Sequence, residues 1–274
     1  MKIDGREIAE GVRSDLKSRI QDLKTKNITP KIAIITLGDE SSWATYVRQK
    51  IKVASELGII AELVNLRDAD ESELLRTVSQ IDNDKTYHGI IVQRPMPSSF
   101  SREKVINAIS TEKDIDGFRP DSEFEVPVWL AVKKIIESRI MNHESWSKLG
   151  FVVLGKGETA GSPAISGLKK LGIEPQVIDS KTENPDEILK RADVIISCVG
   201  RSGIIKPSNI KPGAILIGVG IRGEDGKVRG DYLEEDIENV ASAYTPTPGG
   251  VGPVNLSYLF ANLIDAAEQQ NHIL

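Results

Sequence analysis

The chain has 274 residues, 27% charged and 39% hydrophobic, an ordinary composition for one large globular domain or two medium ones. Its formal net charge of −5 leaves no basic surplus to neutralise phosphates, which argues against nucleic acid or an anionic membrane as the main partner. Cys198 is the single cysteine, so no intrachain disulfide can form and a reducing compartment, the cytoplasm, is expected.

His88, His143 and His272 are scattered without metal-ligand spacing, so no metal is expected. Met1 to Glu7 lacks the apolar h-region of a secretory signal, and no run approaches the ~18 apolar residues of a membrane span.

Ile8, Val12, Leu16, Ile20 and Leu23 recur at helical period among charges and predict an amphipathic first helix. The apolar, β-branched run from Lys31 to Leu37 predicts a buried strand that ends in a loop at Gly38-Asp39. Ser41 and Ser42 are candidate caps for the next helix, which stops at Leu57-Gly58. That helix carries Tyr46 and Lys50, four residues apart and therefore on one face. The ring can hold a flat ligand while the ammonium reaches a reacting atom beside it. Read locally, such a pair is more often an ordinary half-buried ring beside a solvated charge.

A strand over Ile59–Leu66, a helix over Glu71–Asp82 and a strand over Gly89–Gln93 complete an alternating pattern. Alternation of this kind predicts a parallel α/β sheet with ligands at the carboxyl ends of its strands, which puts Gln93 and the Tyr46/Lys50 helix on one rim. A short helix over Ser101–Ile109 follows. Next comes Lys113-Asp114-Ile115-Asp116-Gly117-Phe118, where Asp116 reads locally as shaping a tight turn. Pro120 to Pro127 reads as a connection, and Trp129–Ile140 as a helix able to bridge two domains.

A second α/β unit begins with a strand over Leu149–Leu154 that runs into Gly155-Lys156-Gly157-Glu158-Thr159-Ala160-Gly161-Ser162-Pro163. Ser162 before Pro163 predicts a helix start. Strand, Gly-rich turn and helix are the context in which backbone N–H groups bind a pyrophosphate, although G-x-G-x-x-x-G is one residue longer than the usual fingerprint. Pro175–Asp179 predicts the next strand. Its acidic end lies about twenty residues past the loop, where a carboxylate can hold a ribose or merely cap a turn. A helix over Asp186–Arg191 and strands over Val194–Gly200 and Ala214–Gly220 follow, with Gly200 and Gly220 baring the backbone where a cofactor would lie. Cys198 reads as a core residue. The Gly/Pro-rich stretch from Tyr244 to Pro253 predicts irregular chain that approaches a ligand, hinges or connects domains, and a last helix covers Asn255–Gln269.

Five blocks in this order resemble the methylenetetrahydrofolate dehydrogenase/cyclohydrolase family across nearly the whole chain. They are Tyr46-Val47-x-x-Lys50 after Gly38-Asp39-x-Ser41, His88 to Pro97, Lys113 to Phe118, Gly155 to Pro163, and Thr245-Pro246-x-Pro248-Gly249-Gly250-Val251-Gly252-Pro253. The resemblance implies two α/β domains around a cleft. A folate-binding catalytic domain would comprise 1–120 plus 253–274, a Rossmann-like NAD(P)-binding domain 121–252, and the C-terminal helix would return to the first domain. It implies oxidation of 5,10-methylenetetrahydrofolate to the 5,10-methenyl form with NADP, then hydrolysis to 10-formyltetrahydrofolate, in one-carbon metabolism and purine biosynthesis. A cytoplasmic homodimer packed through the cofactor domains is implied as well.

Carried over by residue, the resemblance makes Tyr46 a stacking platform, Lys50 the cyclohydrolase group, Gln93 the residue that holds Lys50, and Asp116 the acceptor for the pterin. Gly155, Lys156, Gly157, Thr159, Ser180, Gly200 and Gly220 would bind the cofactor, while Gly249, Gly250 and Pro253 would line the folate site. Lys156 stands where the family has an arginine for the NADP 2′-phosphate, and Asp179 stands where a neutral residue or histidine is usual. NADP is therefore the expected cofactor, with NAD or dual use as the alternative. A monofunctional NAD-linked dehydrogenase and a non-catalytic folate- or nucleotide-binding module are the other readings.

Overall fold

The computed structural model describes residues 1–40, 43–140, 143–224 and 227–273; the caps expected at Ser41 and Ser42 lie outside them. The chain divides into two units, Gly11–Pro127 with Leu256–Leu274, and Met1–Glu10 with Val128–Asn255.

The first unit is built on a parallel sheet of β1 (Lys31–Leu37), β2 (Ile60–Leu66) and β3 (Gly89–Val92), in the order β2-β1-β3. The central strand β1 is covered on both sides, which is why it reads as a near-continuous apolar run interrupted only by Thr36 after Lys31. Ile32 and Ile34 face a cluster containing Leu16, Ile20 and Leu23 of helix α1 (Gly5–Thr25) and Val47, Val53 and Leu57 of α2 (Ala44–Leu57). Ala33, Ile35 and Leu37 face the opposite layer, with Leu74, Val78 and Ile81 of α3 (Glu71–Asn83) and Val105 of α4 (Arg102–Asn107). Local signals set the ends of these helices. The Asp70 carboxylate accepts the Glu73 N–H, Ser101 Oγ accepts that of Lys104, and Gly58 ends α2 in a left-handed conformation.

The second unit holds α5 (Pro127–Glu137, entered from the first unit), α6 (His143–Trp146), β4 (Phe151–Leu154), α7 (Gly161–Lys170), β5 (Gln176–Ile178), α8 (Pro185–Leu189), β6 (Val194–Ser197) and β7 (Ile215–Gly218). A hairpin of β8 (Ile221–Glu224) and β9 (Lys227–Gly230), the short α9 (Glu234–Ile237) and β10 (Ala243–Tyr244) follow. Its parallel sheet has the order β10-β7-β6-β4-β5, so the chain reverses direction across the sheet between β4 and β6. The crevice outside the carboxyl ends at such a reversal is where doubly wound sheets bind ligands.

Several boundaries differ from the sequence expectation. Residues 1–10 belong with the second unit because the backbone ties them there. Lys2 bridges Tyr244 in parallel, Ile3 donates to Tyr244 O at 2.8 Å, and Gly5 donates to Gly249 O at 2.9 Å. The last helix, α10, spans Val251–Gln270 and so starts inside the Gly/Pro-rich stretch expected to be irregular. Ser162 is not a cap. Helix α7 already begins at Gly161, and Ser162 Oγ donates back to Lys156 O at 2.9 Å. Cys198 lies just past β6 and is only partly buried. Among the described residues no helix is long and apolar enough to cross a membrane.

Candidate active site

Helix α2 presents Lys50 half-buried and Tyr46 exposed (46%), one turn apart. Gln93 follows β3 directly, held by its N–H to Ile35 O at 2.8 Å, and its side chain is buried. Lys50 Nζ donates to Gln93 Oε1 at 2.6 Å, and Gln93 Nε2 donates to Arg94 O at 2.7 Å. The second bond commits the amide nitrogen, so only the oxygen faces Lys50. A helix and a strand end thus converge on one ammonium with one oriented acceptor.

Asp116 completes this cluster. Its segment is pinned from α10, where Asn262 Nδ2 donates to Ile115 O at 2.8 Å and to Glu125 O at 3.0 Å. Asp114 folds the same turn by accepting the Arg119 N–H at 2.8 Å. Arg94 lies over the Phe118 ring at 3.8 Å, and Arg94, Asp114, Asp116 and Phe118 line one small cavity with the end of β3.

The electrostatics follow from charge withdrawn from water. Lost hydration lowers the Lys50 pKa, with Asp116 pulling it partly back up. Lost hydration raises the Asp116 pKa, with Lys50 and Arg94 opposing. Asp114 is pushed up to about 6, by burial first and by the Asp116 charge as well, against its hydrogen bonds. Arg94 stands out in the sequence only as a departure from the family's usual aliphatic residue, and Asp114 has no role there beyond its motif. The signal for Asp114 was present, since a second carboxylate two residues before Asp116 in a tight turn places two like charges close together.

The second unit contains the other predicted residues. Gly155 donates its N–H to Ile178 O at 2.8 Å, which sets the turn after β4 beside the end of β5. It has φ +90°, and a Cβ on Gly161 would stand 2.1 Å from Gly155 O, so the turn and the first residue of α7 touch backbone to backbone. Gly157 has open space where a side chain would be, and Lys156, Gly157 and Thr159 are exposed. This closed turn with a bare crest at a helix start fits a dinucleotide pyrophosphate. Gly200 and Gly220 lie together past β6 and β7, a Cβ on Gly220 falling 2.3 Å from Gly200 N.

Ser180 is exposed beyond β5, while Asp179 forms an ion pair with Lys156 at 2.7 Å. Gly249 and Gly250 are buried just ahead of α10, and Pro253 lies in its first turn. Asp231, buried and not anticipated, accepts from Ser197 Oγ and from the Val199 and Arg201 N–H groups, and so shapes the loop that carries Cys198 and Gly200. Burial pushes the Cys198 thiol up to about 12, which makes it a poor nucleophile.

Residues 3–116 match the family model for the tetrahydrofolate dehydrogenase/cyclohydrolase catalytic domain, and residues 130–271 match that for its NAD(P)-binding domain. The chain belongs to the tetrahydrofolate dehydrogenase/cyclohydrolase family. It is 36% identical over 273 residues to the bifunctional protein FolD of Staphylococcus epidermidis, covering 96% of this chain and 94% of that protein. The Campylobacter jejuni FolD methylenetetrahydrofolate dehydrogenase/cyclohydrolase superposes with a TM-score of 0.92 at 30% identity, over 98% of this chain and 99% of that one. The Trypanosoma brucei FolD, solved with NADP and an inhibitor, superposes with a TM-score of 0.91 at 27% identity, over 98% and 97%. The paired dehydrogenase and cyclohydrolase activities of the tetrahydrofolate family are those of this chain.

Proposed function

We propose that the chain oxidises 5,10-methylenetetrahydrofolate to the 5,10-methenyl form with NADP and hydrolyses that product to 10-formyltetrahydrofolate, with Lys50 moving the hydrolytic protons. The observation that carries this reading is the desolvated Lys50 ammonium held by the oriented Gln93 acceptor.

Hydrolysis needs water to add to the cationic carbon between N5 and N10, and N5 must then leave with a proton. The lowered pKa gives Lys50 a larger neutral fraction, and a cationic substrate beside it lowers the pKa further. The amine takes a proton from the attacking water and returns it to N5. The adduct's hydroxyl proton goes to solvent as the formyl C=O forms on N10. Gln93 aims the amine. Asp116 accepts hydrogen bonds from the pterin amino group and ring nitrogen, and Tyr46 stacks on the aminobenzoate ring.

NADP, when bound, accepts a hydride from the bridging carbon. The matched NAD(P)-binding domain and the NADP bound by the Trypanosoma brucei relative support this cofactor. Gly155, Lys156, Gly157, Thr159, Ser180, Gly200 and Gly220 form its binding surface, and the domain roles follow, with Gly11–Pro127 and Leu256–Leu274 taking the folate. A homodimer through the NAD(P)-binding unit, a cytoplasmic location and a supply of one-carbon units for purine synthesis complete the proposal. The lone Cys198 suits a reducing compartment.

Lys50→Met tests the assignment. Hydrolysis of the methenyl substrate is lost while folate binding persists; undiminished hydrolysis would remove Lys50 from the mechanism. Retention of both Lys50 and Gln93 counts against a monofunctional NAD-linked dehydrogenase.

A further inference from the structure

The turn after β4 carries a charged pair that the reaction itself does not use. The Gly155 N–H bond to Ile178 O sets the end of β5 against the turn, so that Asp179 follows β5 just where Lys156 follows Gly155. Lys156 Nζ lies 2.7 Å from Asp179 Oδ2. The two partners are held unequally. Asp179 Oδ1 accepts the Lys181 N–H at 2.9 Å and lies 3.2 Å from Thr182 Oγ1, while Thr182 Oγ1 also takes the Asp179 N–H at 2.9 Å. The Asp179 side chain is 23% exposed and that of Lys156 is 63% exposed. The carboxylate is braced, whereas the ammonium sits on a long, solvated stem.

An acid at the end of the strand after a Gly-rich turn suits the free ribose 2′-hydroxyl of NAD. A 2′-phosphate in the same place meets a fixed carboxylate, and its only cation in this pair is already engaged. Chiefly through Lys156, the Asp179 carboxyl is held down at about 2, so it stays charged at neutral pH.

We infer that Lys156 and Asp179 together set this chain's choice between NADP and NAD, and that the pair opposes the 2′-phosphate so that NAD is accepted alongside NADP. The inference rests on the dinucleotide reading of the Gly155–Gly161 turn. NADP binding draws Lys156 from Asp179 onto the phosphate and leaves Asp179 facing a like charge; NAD binding leaves the pair intact.

Calorimetric titration of the full chain with NADP, NAD, adenosine 2′,5′-bisphosphate and AMP tests this without turnover. Wild type is expected to bind NADP and NAD with constants within about tenfold of each other. Asp179→Asn keeps the Oδ1 acceptor for Lys181 and removes the charge. It is expected to shift the NADP:NAD affinity ratio toward NADP by about tenfold or more, because the 2′-phosphate no longer faces a like charge. Lys156→Met shifts the ratio toward NAD, and the bisphosphate:AMP ratio follows the same two directions. A ratio unchanged in Asp179→Asn, or a wild type that prefers NADP by more than about a hundredfold, overturns the inference alone. Failure of all four ligands to bind any of the proteins overturns the dinucleotide reading and the inference with it.

Discussion

Gln93 offers the sharpest test of how the site works. Its Oε1 accepts from Lys50 at 2.6 Å, and its Nε2 is committed to Arg94 O. Gln93→Met keeps the length of the side chain and deletes the acceptor. A hydrogen bond to a charged group contributes about 1.5–3 kcal/mol net and a neutral one about 0.5–1.5, so Gln93 favours ammonium over amine by roughly 1–1.5 kcal/mol. Its loss lowers the Lys50 pKa beyond the lowering that burial already imposes. The rising limb of the hydrolysis pH profile moves to lower pH. The plateau rate falls, by up to about a hundredfold, because the amine is no longer aimed. Gln93→Glu places a carboxylate against the ammonium and moves the same limb upward. The assay is decay of the methenyl chromophore across pH, with enzyme-free hydrolysis subtracted. Limbs that move in the same direction in both variants, or a limb that stays put in Gln93→Met, would refute Lys50 as the proton carrier.

Asp114 and Gly161 give two further expectations. Folding raises the Asp114 pKa from 3.8 to about 6, so the ionised carboxylate destabilises the fold. The penalty is absent below the unfolded value, grows as pH rises between the two and is complete above the folded value, on the order of 3 kcal/mol. Calorimetric melting of Asp114→Asn and wild type should show the variant gaining on wild type as pH rises through that window; a constant difference refutes it. Gly161→Ala puts a Cβ 2.1 Å from Gly155 O. A shift of the turn costs about 1–3 kcal/mol in melting experiments and weakens NADP binding in titrations, and unchanged binding would separate the turn from the cofactor site.

What could be read from sequence alone depended on how each residue is surrounded. Strands β1, β4 and β6 are legible because both faces are covered and, apart from Lys31, Thr36 and Ser197, their residues are apolar. The β8–β9 hairpin was missed because its strands mix Arg222, Glu224, Lys227 and Arg229 with exposed Ile221 and Val228, so no alternation toward a core survives. Lys50 and Gln93 could be matched to motifs, but the Gln93–Arg94 bond that orients the amide could not. Arg94 contributes through its backbone oxygen there, and any residue type has one. Asp231 lies 34 positions from Ser197, and only the folded loop reveals that its carboxylate gathers three donors. The pairing of Lys156 with Asp179 was hidden similarly. Each residue was noticed as a departure from the family, but their mutual neutralisation depends on a strand register.

The backbone passes between the two units after Glu10, after Pro127 and after Asn255. All three passages fall inside helices, since α1 runs from Gly5 to Thr25, α5 from Pro127 to Glu137 and α10 from Val251 to Gln270. Neither unit is a contiguous stretch of sequence, so neither can be transplanted by a single crossover. A recombination that exchanged the nucleotide-binding half for one of different preference would need three joints, each of them within a helix. For a lineage changing its redox partner, substitution at a pair such as Lys156 and Asp179 is a far shorter route than swapping modules.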